Sequence, residues 1–235
     1  MYLSEIFDQL TQGELSSLFL GKTDETGIQI SDYPKIVPHI NLAVTELHKR
    51  FSLRVDEVSI QQYDQIQKYY LQSKFAQTNT DSSEPIKYIV DSQYAPFNGN
   101  VLRIEKVIDE LGRELFINES DEYWSVHTPS FDCVQVPYPE KENQMLVTYR
   151  ADVESKILIP GLDPKRAWVA IPTHLLEALL YYVASRVFSA VNTDGMNEGN
   201  TYLAKFEKSV LKAQELGLDV EDNTNNVKLD DNGWV

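Results

Sequence analysis

Residues 172–191 read PTHLLEALLYYVASRVFSAV, the most apolar stretch of the chain. Pro172 suits the first turn of a helix, and the large apolar side chains that follow recur with a helical period. This stripe consists of Leu175, Leu176, Leu179, Leu180, Val183, Val187 and Phe188. Alanine and tyrosine fill most of the remaining circumference, so we expect a helix that is covered on nearly all sides. Glu177 and Arg186 interrupt the stretch, which is too short to cross a bilayer comfortably, so no membrane span is predicted.

A second helix follows this stretch after a polar connection. Residues 192–200 are polar and contain glycine, which favours a turn. Helical periodicity returns over 201–216, with Tyr202 and Phe206 as packing residues, and Gly217 stands where a C-terminal cap belongs. A helical hairpin is therefore predicted over residues 171–217.

Residues 1–52 predict further helices of the same bundle. Ser4–Leu20 has a rough apolar face interrupted at Gly13, which indicates one or two short helices with Ser4 as a cap. Asp32 followed by Pro34 is a good helix start. The stripe of this next helix is Ile36, Ile40, Val44, Leu47 and Phe51, and the helix is expected to end near Arg50.

Residues 53–170 have the character of β-structure, with short β-branched and aromatic runs separated by turn residues. A strand or a hairpin is predicted around Asp56 and Glu57, and a hairpin is predicted to join 101–107 to 115–117. The strands stand too close together for crossover helices, so the expected sheet or barrel is small and antiparallel. The predicted fold class is α+β: a helical bundle from the N-terminal helices and the C-terminal αα-hairpin, with this β region inserted.

The composition argues against several functions. A net charge of −15 on 235 residues opposes a surface that grips nucleic acid, because such surfaces need lysine and arginine. The acidity serves solubility alone or, alternatively, lets DNA pass a surface without sticking to it. The first residues, Met1–Glu5, lack the basic and apolar regions of a secretory signal.

No catalytic or metal-binding motif is found in the sequence. Cys133 is the single cysteine, and the four histidines are not spaced to place two ligands on one helical face. His127 and Cys133 lie six residues apart, which is more simply explained by structure than by a nucleophile pair. No glycine-rich phosphate loop occurs. We therefore expect no cofactor, no metal and no enzymatic activity.

The last eighteen residues, 218–235, are predicted to form a flexible acidic arm. Five acids against Lys228 give this arm a net charge of −4, and its polar run cannot build a core. Trp234 is a candidate anchor to a partner, because tryptophan is enriched at the centres of interfaces.

Three stretches carry a resemblance to a known family. They are LHKRFSLR at 47–54; LRIEKV at 102–107 with HTPS at 127–130, QVPYP at 135–139 and LVTYRA at 146–151; and IP at 171–172 with LEALLYYVASR at 176–186 and EGNTYLAKFE at 198–207. Together they resemble the head-to-tail adaptor proteins of short-tailed bacteriophages, also called tail tubular protein A or gatekeeper proteins. The third stretch is the most specific of the three.

The resemblance implies a structural protein of the virion neck, assembled in the host cytoplasm. Its helices would pack around a channel as a homo-oligomer, usually a twelve-membered ring, below the portal protein. DNA would pass through without specific binding, and the β part would meet the tail nozzle or tube protein and tail fibres. The arm would dock on the portal, through Lys228, Leu229, Trp234 and Val235.

Two other classes of protein stay open on the residues alone. A virion-associated hydrolase would need a pocket with perturbed acids. A monomeric binding module would use the β region to hold a tail component or a host-surface ligand, and it would stay monomeric at high concentration.

Overall fold

The chain has a mixed α+β architecture, as predicted. The computed structural model describes residues 1–16, 18, 28–119, 125–154, 156–190 and 193–217. These residues form two compact units: a helical unit from the parts before Arg54 and after Glu154, and a β unit spanning Arg54–Glu154.

The helical unit is built from four described α-helices. They are α1 (Leu3–Gln12), α2 (Tyr33–Arg50), α3 (Leu176–Ser189) and α4 (Thr193–Glu215). One-turn 3₁₀ segments, Ile30–Asp32 and Thr173–Leu175, lead into α2 and α3. Each of α1, α2 and α4 packs against α3, which makes α3 the central element of this unit.

The N-terminal helices start and stop close to the predicted positions. Helix α1 begins at Leu3, so Ser4 lies inside it and does not cap it; the carboxylate of Glu5 accepts the N–H of Tyr2 at 3.0 Å instead. The helix ends at Gln12, with Gly13 as its C-cap. Helix α2 carries Pro34 in its first turn and ends at Arg50. The predicted stripe of α2, from Ile36 to Phe51, is buried.

The predicted turn over 192–200 is wrong for most of its length, because α4 already begins at Thr193. The glycines of this segment favour a turn on sequence grounds. Gly199 is instead a buried helical residue whose missing side chain makes room for α3. The signal was ambiguous because glycine serves close packing as well as turns.

Residues 156–170, which the sequence placed with the β region, lie in the helical unit. The backbone N–H and C=O of Ile157 are held by the side chain of Asn41 on α2, at 3.0 and 2.9 Å. The N-terminal backbone pairs with the same segment: Leu3 N–H donates to the carbonyl of Ala167 at 2.9 Å. Such long-range hydrogen bonds have no local sequence signature.

The described residues of the β unit form seven strands in two antiparallel sheets. They are β1 (Val55–Gln61), β2 (Lys68–Tyr70), β3 (Ile89–Val90), β4 (Val101–Asp109), β5 (His127–Ser130), β6 (Cys133–Gln135) and β7 (Gln144–Ala151). The first sheet has the order β3-β1-β7-β4 and the second the order β2-β6-β5. Strand β7 buries every second side chain from Met145 to Ala151, as a strand covering a core on one face does.

Of the two alternatives predicted around Asp56 and Glu57, a strand or a hairpin, the strand forms. Strand β1 runs straight through Asp56 and Glu57 and pairs with β7 along its whole length. Both acids have partners without a turn, since Asp56 pairs with Arg54 at 3.0 Å and Glu57 stands opposite Thr148. The predicted return after β4 forms: the N–H of Asp109 donates to the carbonyl of Arg113 at 3.0 Å and the N–H of Leu115 to that of Val107 at 2.8 Å, beside an antiparallel bridge at Glu114. The long ladder partner of β4 is β7.

Candidate functional site

The predicted packing residues of the helical hairpin lie in the interior of the helical unit. The seven stripe residues of 175–188 are buried, Phe206 is fully buried, and Tyr202 is half-buried. Their cover is supplied by the other helices of the same chain. The apolar circumference of α3 therefore does not by itself require a neighbouring subunit.

Helices α3 and α4 approach each other closely at Gly199. A β-carbon placed there would lie 2.3 Å from Oγ of Ser189 and 2.9 Å from the carbonyl oxygen of Ser185. Both distances are far below van der Waals contact, so only glycine fits this crossing. The hydroxyl of Ser189 donates to the same carbonyl at 2.7 Å, which keeps its polar group satisfied inside the contact.

Aromatic side chains continue the contact along the hairpin. Phe188 of α3 stacks on Tyr202 of α4 with ring centroids 5.3 Å apart, and Tyr182 meets Phe206 edge-on at 5.2 Å. The ammonium of Lys205 lies 4.7 Å from the centre of the Tyr202 ring, within the range of a cation–π interaction. These pairs fix the hairpin as one rigid element.

An ion pair ties α4 to α2. The guanidinium of Arg50 donates from Nη1 and Nη2 to both carboxylate oxygens of Glu207, at 2.5 and 2.9 Å, and from Nε to Glu46 at 2.9 Å. The hydrogen bond from Arg50 holds the pKa of Glu207 below its ordinary value. The same guanidinium lies over the ring of Phe206 at 5.0 Å, so charge and stacking act on one contact.

The outer face of α4 is the strongest candidate for an assembly surface in the helical unit. We define this face by Leu203, Lys208 and Leu211, all of which are exposed. Leu203 is 43% and Leu211 57% exposed, and their spacing of eight residues keeps both on one side of the helix. Leu203 and Leu211 are therefore the apolar side chains of α4 that another chain could cover.

The predicted portal-docking arm, residues 218–235 with Lys228, Leu229, Trp234 and Val235, lies outside the described residues. Its role stays a prediction. The exposed leucines of α4 are functional candidates that the sequence did not reveal, because no local pattern separates an uncovered leucine from a buried one.

The part of the chain that the structure describes contains no cluster of three or more His, Cys, Asp or Glu side chains able to hold a metal ion. Cys133 is buried in β6, and burial raises the pKa of its thiol. Burial, with the nearby charge of Arg186, lowers the pKa of His39, and the ring of His48 is bonded to the carbonyl of Val44 at 2.8 Å. Each of these three groups is at least partly buried in the fold. A thiol with a raised pKa is a poor nucleophile.

No protein-family model matches this sequence, and no curated protein matches it. Among the described helices, none has the length and apolar character needed to span a bilayer.

Proposed function

We propose that this chain is a head-to-tail adaptor of a short-tailed bacteriophage. It is a structural, non-enzymatic subunit of the virion neck that forms a ring, with twelve copies expected, below the portal protein. The ring joins the capsid to the tail and surrounds the channel through which DNA passes. Its further partners are the tail nozzle or tube protein and tail fibres.

The observation that carries the proposal is the helical hairpin and its uncovered leucines. The most specific stretch of the resemblance, 171–207, supplies α3 and the first half of α4. One side of α4 packs on α3, whereas Leu203 and Leu211 on the outer face of α4 are exposed. In a ring, each subunit meets a neighbour on each side, and exposed apolar residues beside a rigid hairpin suit such a contact.

The acidity of the chain fits a channel protein as well. A net charge of −15 repels the phosphate backbone, so DNA can slide past without adhering. This supports the proposal only in combination with the hairpin, since acidity also serves solubility.

The test is the mass in solution by light scattering, first of the protein alone and then with the portal protein of the same virus. Recruitment of many copies by the portal is expected; a monomer that ignores the portal would overturn the proposal. The double variant Leu203→Asp, Leu211→Asp should fold and lose recruitment. The control Leu158→Asp changes another exposed leucine of the helical unit, away from α4, and should assemble normally.

A second candidate is a monomeric binding module. It is favoured by aromatic side chains that the β unit leaves uncovered, among them Tyr94, Phe131 and Tyr138. Exposed aromatic residues are frequent at binding surfaces. This candidate predicts a monomer at every concentration, with ligand binding confined to the β unit, so the same mass measurement separates it from the adaptor.

A further inference from the structure

The β unit contains a cleft of about 120 Å³ where the turn after β4 faces the loop between β6 and β7. Its lining is formed by Gln62, Asp109, Glu110, Arg113, Leu115, Ser125, Val126, Val136, Pro137, Tyr138, Glu140 and Asn143. The adaptor function does not use this cleft, and of the exposed aromatic residues named for the second candidate, Tyr138 lines it.

The cleft combines an apolar floor with an acidic rim. Val126 and Val136 are buried and Leu115 is partly buried, so these three side chains form the floor. Three acids and one arginine line the cleft, a net charge of −2. Arg113 is engaged with Asp109 at 2.7 Å, which leaves Glu110 and Glu140 exposed on the rim with no described cation paired to them.

Asp109 is a structural member of this rim. Its Oδ1 accepts the N–H groups of Leu111 and Arg113 at 3.0 and 2.8 Å, which closes the turn. Partial burial acts to raise the pKa of Asp109, but these hydrogen bonds and the Arg113 side chain outweigh it and hold the pKa below its ordinary value. The turn that presents Glu110 is therefore fixed in place.

Gln62 supplies an unused hydrogen-bond donor. Its side chain is almost wholly buried, with 6% of the residue exposed, and its Oε1 accepts the N–H of Glu140 at 3.2 Å. No acceptor among the described residues takes a hydrogen bond from its Nε2. Because Gln62 lines the cleft, this amide group can donate to an acceptor that enters from outside.

We propose that the cleft binds a basic side chain, Lys or Arg, carried by an extended segment of a partner protein. The long methylene stem of such a side chain covers an apolar floor while its head stays with charged groups. Here the head pairs with Glu110 and Glu140, and a backbone carbonyl of the same segment accepts from Nε2 of Gln62. A neutral polar ligand such as a sugar would satisfy Gln62 but would leave both rim carboxylates without a counter-charge, so charge complementarity favours the basic segment.

The test uses three capped tripeptides with Lys, Arg or norleucine between two alanines, titrated into the full chain at millimolar concentration. Amide NMR follows the side-chain NH₂ of Gln62 and the backbone of residues 110 and 140. We expect saturable shifts with the Lys and Arg peptides, weakened by salt. The variant Glu110→Gln, Glu140→Gln should bind at least about tenfold more weakly, the loss expected when charge-assisted hydrogen bonds are removed.

The control Glu142→Gln removes an exposed acid of the same loop that does not line the cleft, and it should bind as the original chain does. Equal binding of the norleucine peptide, shifts with a monosaccharide but none with the peptides, or no shift at residue 62 with any of them would each overturn the proposal. None of these results depends on portal recruitment, so failure here leaves the adaptor function to its own test.

Discussion

Gly199 sits where α4 crosses α3, and its replacement by alanine is a direct test of that crossing. The added methyl would meet Oγ of Ser189 and the carbonyl oxygen of Ser185. Alanine favours a helix over glycine by about 1 kcal/mol, whereas overpacking of this kind costs about 1–3 kcal/mol.

We therefore expect Gly199→Ala to lower the free energy of unfolding, measured by urea denaturation, despite the better helix propensity. Asn200→Ala is the matched control, because Asn200 is an exposed neighbour on the same helix and should be neutral or slightly stabilising. A more stable Gly199→Ala protein would mean that the helices are farther apart than described.

Glu207 gives the ion pair with Arg50 a definite pH dependence. Its pKa is lowered in the folded chain, so the pair stabilises the fold above the ordinary glutamate pKa near 4.3, and this stabilisation disappears as the pH falls through the lower folded pKa. The side chain of Glu207 is 45% exposed, so solvent screening limits the contribution to about 0.5–1 kcal/mol.

Accordingly, Glu207→Gln should reduce the free energy of unfolding at pH 7 and have a much smaller effect near pH 3. Glu215→Gln, an exposed acid on the same helix, is the control and should show little effect at either pH. An equal loss at both pH values would indicate a role in packing rather than charge.

Within the β unit, the core of the first sheet includes a buried tyrosine that should titrate abnormally. Burial raises the pKa of Tyr149, on β7, to about 12. A raised pKa means that the neutral phenol is favoured in the folded chain, so the associated stability is present below the unfolded pKa near 10 and is lost as the pH rises through the folded pKa.

Replacement of Tyr149 by phenylalanine should therefore flatten the fall in unfolding free energy above pH 10, measured by urea denaturation across the alkaline range. The matched control is Tyr94→Phe, since Tyr94 is fully exposed in the same unit. If the unfolding free energy of the Tyr149 variant falls above pH 10 as steeply as that of the original chain, groups other than Tyr149 cause the fall.

The elements themselves were predictable to different degrees. Helices α2 and α3 could be predicted from the sequence because apolar side chains recur in each with a helical period over several turns. The start of α4 and the pairing of β4 with β7 were not, because both depend on contacts with distant residues. The exposure of Leu203 and Leu211 could not be predicted for the same reason, because whether a leucine is exposed depends on which distant residues pack against it.

For the whole molecule, the net charge of −15 predicts that duplex DNA is not retained. Fluorescence anisotropy of a labelled duplex should stay flat on addition of the protein, even at low salt, where phosphate contacts are strongest. Binding that weakens steeply with added salt would contradict this and would point to the lysines of α4, Lys205, Lys208 and Lys212, which are all exposed.

The sequence alone was sufficient for the α+β class, for the two principal packing helices and for an inserted β region, because periodicity and turn chemistry are local properties. Only the tertiary structure decided that α3 is covered within its own chain, that 156–170 belong with the helices, and that Gln62 meets an acidic cleft. Each of these depends on residues far apart in the chain, and spatial proximity of that kind leaves no pattern in a single sequence.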